Sequence, residues 1–303
     1  MASLAYFNGR FMPESELRLS FADAGFVFGA TVTDFCRTYN HALFRWPDHL
    51  ARLRRDAAAC HIPLLQSDSE ITTAAEQLIA ARSMDIESSD DLALITFATP
   101  GPLGYMTGET KNGPPTLGMH CFPIPVERYR RFFTEGVELE FAGILGSHSG
   151  IVPLNVKHRS RMAWWLAGKK VAAGRVALLE DFDGMGADTA IGAVVAVVGE
   201  TVYASPESSV LDSVSLKVLE ELCDQLGLGF QRHPSPFSRL QGLKRDGELG
   251  AFRKSIGEAA LVGSAFGIAG IRRVFWPGNE WQFEWPGPIT QKLQAAWSRL
   301  AGE

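Results

Sequence analysis

Hydrophobic positions recur with a period near two in some stretches of the chain and near 3.6 in others, so strands and helices are interleaved from end to end. Residues 4–8 run through Asn8-Gly9 into 10–12, which predicts a hairpin, because Asn-Gly accepts positive φ at both turn positions. Residues 31–39 and 42–46 predict two strands about a turn at Asn40-His41. Pro47-Asp48 then opens a helix in which Leu50, Leu53, Ala57 and Cys60 fall at helical spacing, and 69–83 predicts a second. Residues 92–99 and 116–122 are strand-like. Between them, 100–115 is rich in Gly, Pro and Thr and reads by composition as a mobile loop able to cover a site.

Pro123-Ile124-Pro125 interrupts the pattern, and a polar segment follows as far as Gly136. This places an inter-domain linker at 123–133, between a smaller N-terminal domain, 1–122, and a larger C-terminal domain, 134–303. The second half predicts a strand at 137–142, a glycine-rich stretch to 156, a helix at 159–172 and a strand at 175–181. A hairpin about Gly199-Glu200, a helix at 213–226, a strand at 228–232, short strands near 259 and 272 and a helix from Pro288 complete it. The expected class is α/β or α+β in two lobes.

Composition narrows the function. With 303 residues, 46% of them hydrophobic and 21% charged, the chain can bury one large core or two ordinary ones, which excludes general disorder. The 29 basic and 34 acidic side chains leave a net charge of -5, and the arginine clusters at 52–55 and 128–131 are short, so nucleic acid is not an expected partner. The longest apolar run, 190–198, is about half what a bilayer requires. The N-terminus has neither a basic stretch nor a continuous apolar one, and the expectation is a cytoplasmic protein without a membrane partner. Cys36, Cys60, Cys121 and Cys223 lie far apart with no zinc-type spacing; they read as buried thiols, and no metal is expected.

Several residues could carry chemistry. Lys157 sits in a mainly apolar segment ahead of Trp164 and Trp165. A lysine that acts as a Schiff-base nucleophile must bring an ordinary pKa of about 10.4 down toward neutrality, which means destabilising its charged form by about 4 kcal/mol; burial can do that, although most lysines are simply solvated. Asp188 precedes the apolar run, either as a turn residue bonded to backbone N–H groups or as partner to a buried positive charge. Ser213-Val214-Ser215 opens a helix, where unpaired N–H groups favour an anion, and Val262-Gly263-Ser264-Ala265 offers a second glycine-serine turn; both also fit ordinary capping and turn roles. Arg52 fits either an exposed helical arginine or a clamp on the same anion.

In order and approximate spacing, these residues resemble the landmarks of the class IV pyridoxal-phosphate aminotransferases, the group that includes D-amino-acid and branched-chain aminotransferases and aminodeoxychorismate lyase. The resemblance begins at Phe7-Asn8-Gly9 and 23–29, and continues through Tyr39-Asn40 and Leu43-Phe44 to His49-Leu50-Ala51-Arg52-Leu53, similar to H-x-x-R-L. Lys157-His158-Arg159-Ser160-Arg161 is similar to K-H-x-x-R, and nearly the whole chain is covered. The resemblance implies the two-lobed fold of this family with pyridoxal 5'-phosphate as cofactor. Lys157 would form the Schiff base and shuttle the α-proton, and Asp188 would support the pyridine nitrogen. Arg52, Val214, Ser215, Ser264 and Ala265 would hold the phosphate. A homodimer is the family expectation.

The sequence also departs from the family pattern. Asp188 stands in place of a glutamate, Ala193 in place of an asparagine, and Asp212-Ser213 in place of proline-glycine; Phe28-Gly29-Ala30-Thr31 replaces F-G-D-G. Thr99-Pro100-Gly101 replaces T-R-G, so the arginine that binds substrate carboxylate in the D-amino-acid enzymes is missing. Thr33, Asp34 and Arg37 are candidates for a differently shaped pocket, and Arg159 and Arg161 for carboxylate partners. The leading expectation is transfer of an amino group between an amino acid or amine and a 2-oxo acid. The alternatives are pyruvate elimination from aminodeoxychorismate, suggested by the K-H-x-x-R motif, and a non-catalytic protein that has lost the cofactor, suggested by Asp212 and Ala193.

Overall fold

The computed structural model describes residues 3–87, 90–144, 153–181, 185–235, 237 and 248–302. The chain is mixed α/β and divides into two compact units, one of Met1–Ile124 with Val156–Ser160 and Gly302, the other of Pro125–Asn155 with Arg161–Ala301.

The first unit comprises β1 (Leu4–Phe7), β2 (Arg10–Pro13), a helical turn α1 (Ala24–Val27), β3 (Val32–Tyr39), β4 (Ala42–Leu43), α2 (Trp46–Ala59), α3 (Asp68–Ser83), β5 (Leu92–Thr99), a second helical turn α4 (Gly104–Thr107) and β6 (Thr116–Pro123). Its six strands form one sheet in the order β2-β1-β6-β5-β3-β4, antiparallel throughout. Asn8 and Gly9 take φ of 47° and 86°, as the β1–β2 hairpin requires.

Alternation along the strands sends Val32, Cys36, Leu92, Leu94, Leu117 and Met119 to one face. There they pack with Leu50, Leu53 and Ala57 of α2 and Ile71, Ala75 and Leu78 of α3. Each large side chain so buried stabilises the fold by about 1.5–3 kcal/mol. The opposite face carries Phe35, Ile95, Phe97 and His120, all half-buried.

Two expectations change in this unit. Residues 100–115 form a folded loop: Gly101 O accepts from Ala24 N (3.0 Å), Leu103 N donates to Ala22 O (2.8 Å) and Gly113 N donates to Pro102 O (2.8 Å). Gly101, at φ 88°, lies so close to the Pro114 carbonyl that a Cβ would overlap it; here glycine permits close backbone approach. The domain division also differs, because 156–160 pack with the N-terminal unit. Val156 joins its core, Thr33 N donates to Lys157 O (2.9 Å), and Arg159 N donates to Thr31 O (2.8 Å), so this short segment extends the sheet along β3.

The second unit contains α5 (Val126–Thr134), β7 (Val137–Ile144), α6 (Met162–Lys170), β8 (Val176–Glu180), β9 (Ala187–Thr189), β10 (Ala193–Val198), β11 (Thr201–Ala204), α7 (Val214–Gln225), β12 (Gly229–Arg232), α8 (Glu248–Ser255), β13 (Glu258–Gly263), β14 (Gly267–Trp276), β15 (Asn279–Gln282) and α9 (Pro288–Ala301). The strands run β12-β11-β10-β13-β14-β7-β8-β9, and β9 pairs back onto β10 through Asp188 and Ala193. Six strands from β10 round to β9 therefore close into a ring, which removes exposed edges. Five of the six β10 residues are buried, as an apolar run in an interior strand should be.

The segment expected as the linker, 123–133, is largely α5. Its apolar positions Val126, Tyr129, Phe132 and Phe133 recur at helical spacing, and Tyr129, its one buried residue, is set against the rings of Phe132 and Phe266. The helix expected at 159–172 is shorter, because Arg159 is held in the strand beside β3. Of the glycine-rich stretch, 145–152 lies outside the described residues.

All four cysteines are unpaired; Cys36, Cys121 and Cys223 are buried, and Cys60, at the C-cap of α2, is only half-buried. Among the described residues no helix is long and apolar enough to cross a membrane, and no cluster of potential ligands for a metal ion occurs.

Candidate functional site

Lys157 is half-buried in the first unit. Its backbone N–H donates to Asp56 Oδ2 (2.8 Å) on α2, and its carbonyl accepts from Thr33 on β3, so both sides of the residue are pinned. Asp56 was not singled out from sequence. The available signal was a carboxylate one helical turn after Arg52, adjacent to the buried Ala57.

Beside this segment lies a buried polar triad. Asp34 on β3 accepts from Arg52 Nε (2.8 Å) and Nη2 (3.0 Å), and its Oδ1 is 2.6 Å from His49 Nδ1. All three side chains are at most 3% exposed. Burial alone would push the Asp34 carboxyl up, but the charges of Arg52 and His49 and the bonds they make outweigh it and hold the group well below the usual carboxylate range. Burial moves His49 the other way: its pKa falls, against the pull of Asp34 and with added repulsion from Arg52 and Lys157. Asp34, expected as a pocket residue, is thus the carboxylate that orients Arg52, because a charge this deeply buried persists only when paired.

The remaining candidates of this unit divide. Arg37, a candidate pocket residue, pairs with Asp91 (2.8 Å), donates to Thr38 O (2.9 Å) and lies 3.8 Å over the Tyr39 ring. The Thr33 hydroxyl donates to Thr96 O (2.9 Å) and accepts from Arg159 Nε (3.3 Å). The Arg159 guanidinium sits 5.4 Å over the Phe97 ring.

In the second unit, Asp188 is half-buried where the strand ring closes. Its Oδ1 accepts from Thr189 N (2.8 Å), and its Oδ2 from Leu211 N (3.4 Å) at the approach to α7. Arg161 belongs to the same neighbourhood. Burial lowers its pKa and the Asp188 charge opposes that fall, while Nη2 donates to Ala190 O (2.7 Å). Ala193 faces Asp188 across the closing strand pair.

The hydroxyl of Ser213 caps α7 by accepting from Leu216 N (3.4 Å), as Ser at an N-cap does. Val214 and Ser215 follow, both buried, at positions where helical N–H groups have no partner within the helix. The Ser215 hydroxyl meets that of Ser264, 49 residues later, at 3.2 Å. Ser264 and Ala265 form the turn between β13 and β14, and a Cβ on Gly263 would come within 2.5 Å of Ile191 O, so glycine is needed for the strands to approach. The Asp212 carboxylate lies 3.9 Å from Lys217 Nζ, which offsets the charge that this residue brings to the helix start.

The arrangement supplies the chemistry that pyridoxal phosphate requires. Two hydroxyls and the opening N–H groups of a twelve-residue helix make a donor set for a phosphate, and Asp188 offers a carboxylate held by backbone donors. The residues present therefore fit the cofactor.

The family described as amino-transferase class IV matches residues 31–274. A D-alanine aminotransferase from Bacillus licheniformis is 33% identical over 120 residues, which span 39% of this chain and 40% of that relative, so the match covers less than half of the relative's length. The branched-chain amino acid aminotransferase of Escherichia coli superposes with a TM-score of 0.80 over 99% of this chain and 95% of that one, at 18% identity. That of Thermobaculum terrenum, solved in its PLP-form, has a TM-score of 0.77 over 99% of this chain and 94% of that one, at 19% identity. The structural likeness carries the fold, and the family match extends over most of the sequence, from β3 through Lys157, Asp188 and Ser264 into β14: the chain belongs to the class IV aminotransferases.

Proposed function

We propose that the protein is a pyridoxal-phosphate-dependent aminotransferase that moves an amino group between an amino acid or amine and a 2-oxo acid. The observation that carries this reading is the meeting of Ser215 and Ser264 at the start of α7, a phosphate cradle assembled from two distant segments of a class IV chain. When bound, the cofactor supplies an aldehyde for an amine and a ring that draws electrons from the carbon losing its proton.

Each residue then has a task. Lys157 Nζ would hold the cofactor through its aldehyde and would take and return the substrate proton. The Asp188 carboxylate would support a protonated pyridine nitrogen. Val214, Ser215, Ser264 and Ala265 hold the phosphate, and Arg52, oriented by Asp34, adds charge for it. By family likeness the protein works as a homodimer, and sedimentation equilibrium giving twice the chain mass would support the dimer.

The test is to record the visible spectrum of the cofactor-loaded protein, reduce it with borohydride and map the labelled peptide. Label is expected on Lys157; label on another lysine, or none, overturns the reading. Lys157→Ala should lower turnover by roughly 10²–10⁴-fold or more. Turnover that requires an added 2-oxo acid is the expected result, whereas pyruvate release without an acceptor would indicate elimination instead.

A further inference from the structure

We propose that Arg159 is the specificity-determining residue that binds the substrate carboxylate, taking one carboxylate of the amino acid or 2-oxo acid in its guanidinium fork. The inference deepens the amino-transfer reading of Lys157 and rests on it.

The short strand beside β3 provides the geometry. Val156 lies in the core, and His158 pairs with Val32 on the same side. Strand alternation gives Lys157 and Arg159 the other parity, two residues and about 6–7 Å apart along the chain. An amino-acid substrate carries its carboxylate on the carbon that bears its own amine, and that carbon would have to come within reach of Lys157 Nζ for its proton to be moved, so a cation one pleat away on the same side is placed for the carboxylate.

The guanidinium is also oriented in advance. Thr33 uses its hydroxyl proton on Thr96 O, which turns an oxygen lone pair toward Arg159 Nε. The Phe97 ring lies beneath the cation. That ring spreads over Gly118, its cross-strand neighbour, where any Cβ would overlap it. The residue nonetheless stays exposed, so an incoming carboxylate can reach it.

Other charged groups of this unit have partners of their own. His120 loses basicity chiefly through burial, with Glu14, 3.4 Å away, opposing and Arg159 reinforcing the fall. Arg52 and Arg37 each face a carboxylate, Asp34 and Asp91. Arg161, the other candidate from sequence, belongs to the second unit, where it faces Asp188 and donates to Ala190 O.

The experiment uses cofactor-loaded wild type, Arg159→Gln, Arg159→Lys and Lys157→Ala. Calorimetry measures binding of pyruvate and phenylpyruvate. Steady-state kinetics compare alanine, leucine and phenylalanine, each against its decarboxylated amine. Arg159→Gln should raise the Kd of both oxo acids at least tenfold and lower the amino-acid-to-amine ratio of kcat/KM at least tenfold, with Arg159→Lys recovering part of each. An unchanged Kd and ratio in Arg159→Gln, or a wild type that binds neither acid, overturns the assignment. Loss of transfer in Lys157→Ala alongside an unaffected Arg159→Gln would leave the proposed function standing. A Lys157→Ala protein as active as wild type would instead overturn that function.

Discussion

Asp34 determines the state of two neighbours at once. It binds Arg52 through two nitrogens and accepts His49, and because all three are buried, removing its charge leaves a guanidinium without its counter-ion. Asp34→Asn should destabilise the protein by about 3–5 kcal/mol in urea unfolding. The same cluster makes stability fall in acid. The folded-state pKa of His49 lies below its ordinary value, so as pH falls below about 6.5 the unfolded chain takes up the proton first and stability is lost. Asp34 acts with the same sign, its contribution being present above the usual carboxylate range and lost as pH falls below it. The urea midpoint should therefore drop between about pH 7.5 and pH 5.5, and His49→Gln should flatten that slope; an unaltered slope would count against the cluster. Arg52 was legible in the sequence because its motif is local. The contact of Asp56 with the Lys157 N–H spans 101 residues and left no such trace.

Among the elements, helix and strand identities follow closely from periodicity, and the exceptions have identifiable causes. The helix α3 starts one residue before the expected position, at Asp68, with Ser67 and Glu70 forming a capping box. The helix expected to begin at Arg159 loses its first residues to pairing with β3, a tertiary demand that outweighs local preference. The closing helix α9 is anchored by a group far from it in sequence: Glu258 of β13 accepts from Ile289 N (2.9 Å), Thr290 N (2.8 Å) and Thr290 Oγ1 (2.7 Å). Glu258→Ala would leave these donors buried and unpaired, at about 1–3 kcal/mol for such a group. Its melting temperature should fall by several degrees, whereas Glu258→Gln, which keeps an acceptor oxygen, should fall less.

For the whole molecule, the second unit closes its strands through a single residue pair, Asp188 with Ala193, which places the candidate ring-nitrogen carboxylate at the closure. A ligand that binds only the folded chain must stabilise it, so pyridoxal phosphate at 100 times its Kd should add about 2.7 kcal/mol and raise the melting temperature. An unmoved transition would favour the cofactor-free alternative. Taken by itself, the sequence determined the interleaving of strands and helices, the turns at Asn8-Gly9 and Asn40-His41 and the family pattern around Lys157, since periodicity and turn chemistry act over a few residues. Only the tertiary structure decided that 156–160 join the first unit's sheet, that Asp34 holds Arg52, and that Ser215 meets Ser264. Those outcomes depend on side chains brought together by burial across distant parts of the chain, where a buried charge or hydroxyl must find a partner and local preference does not specify which one.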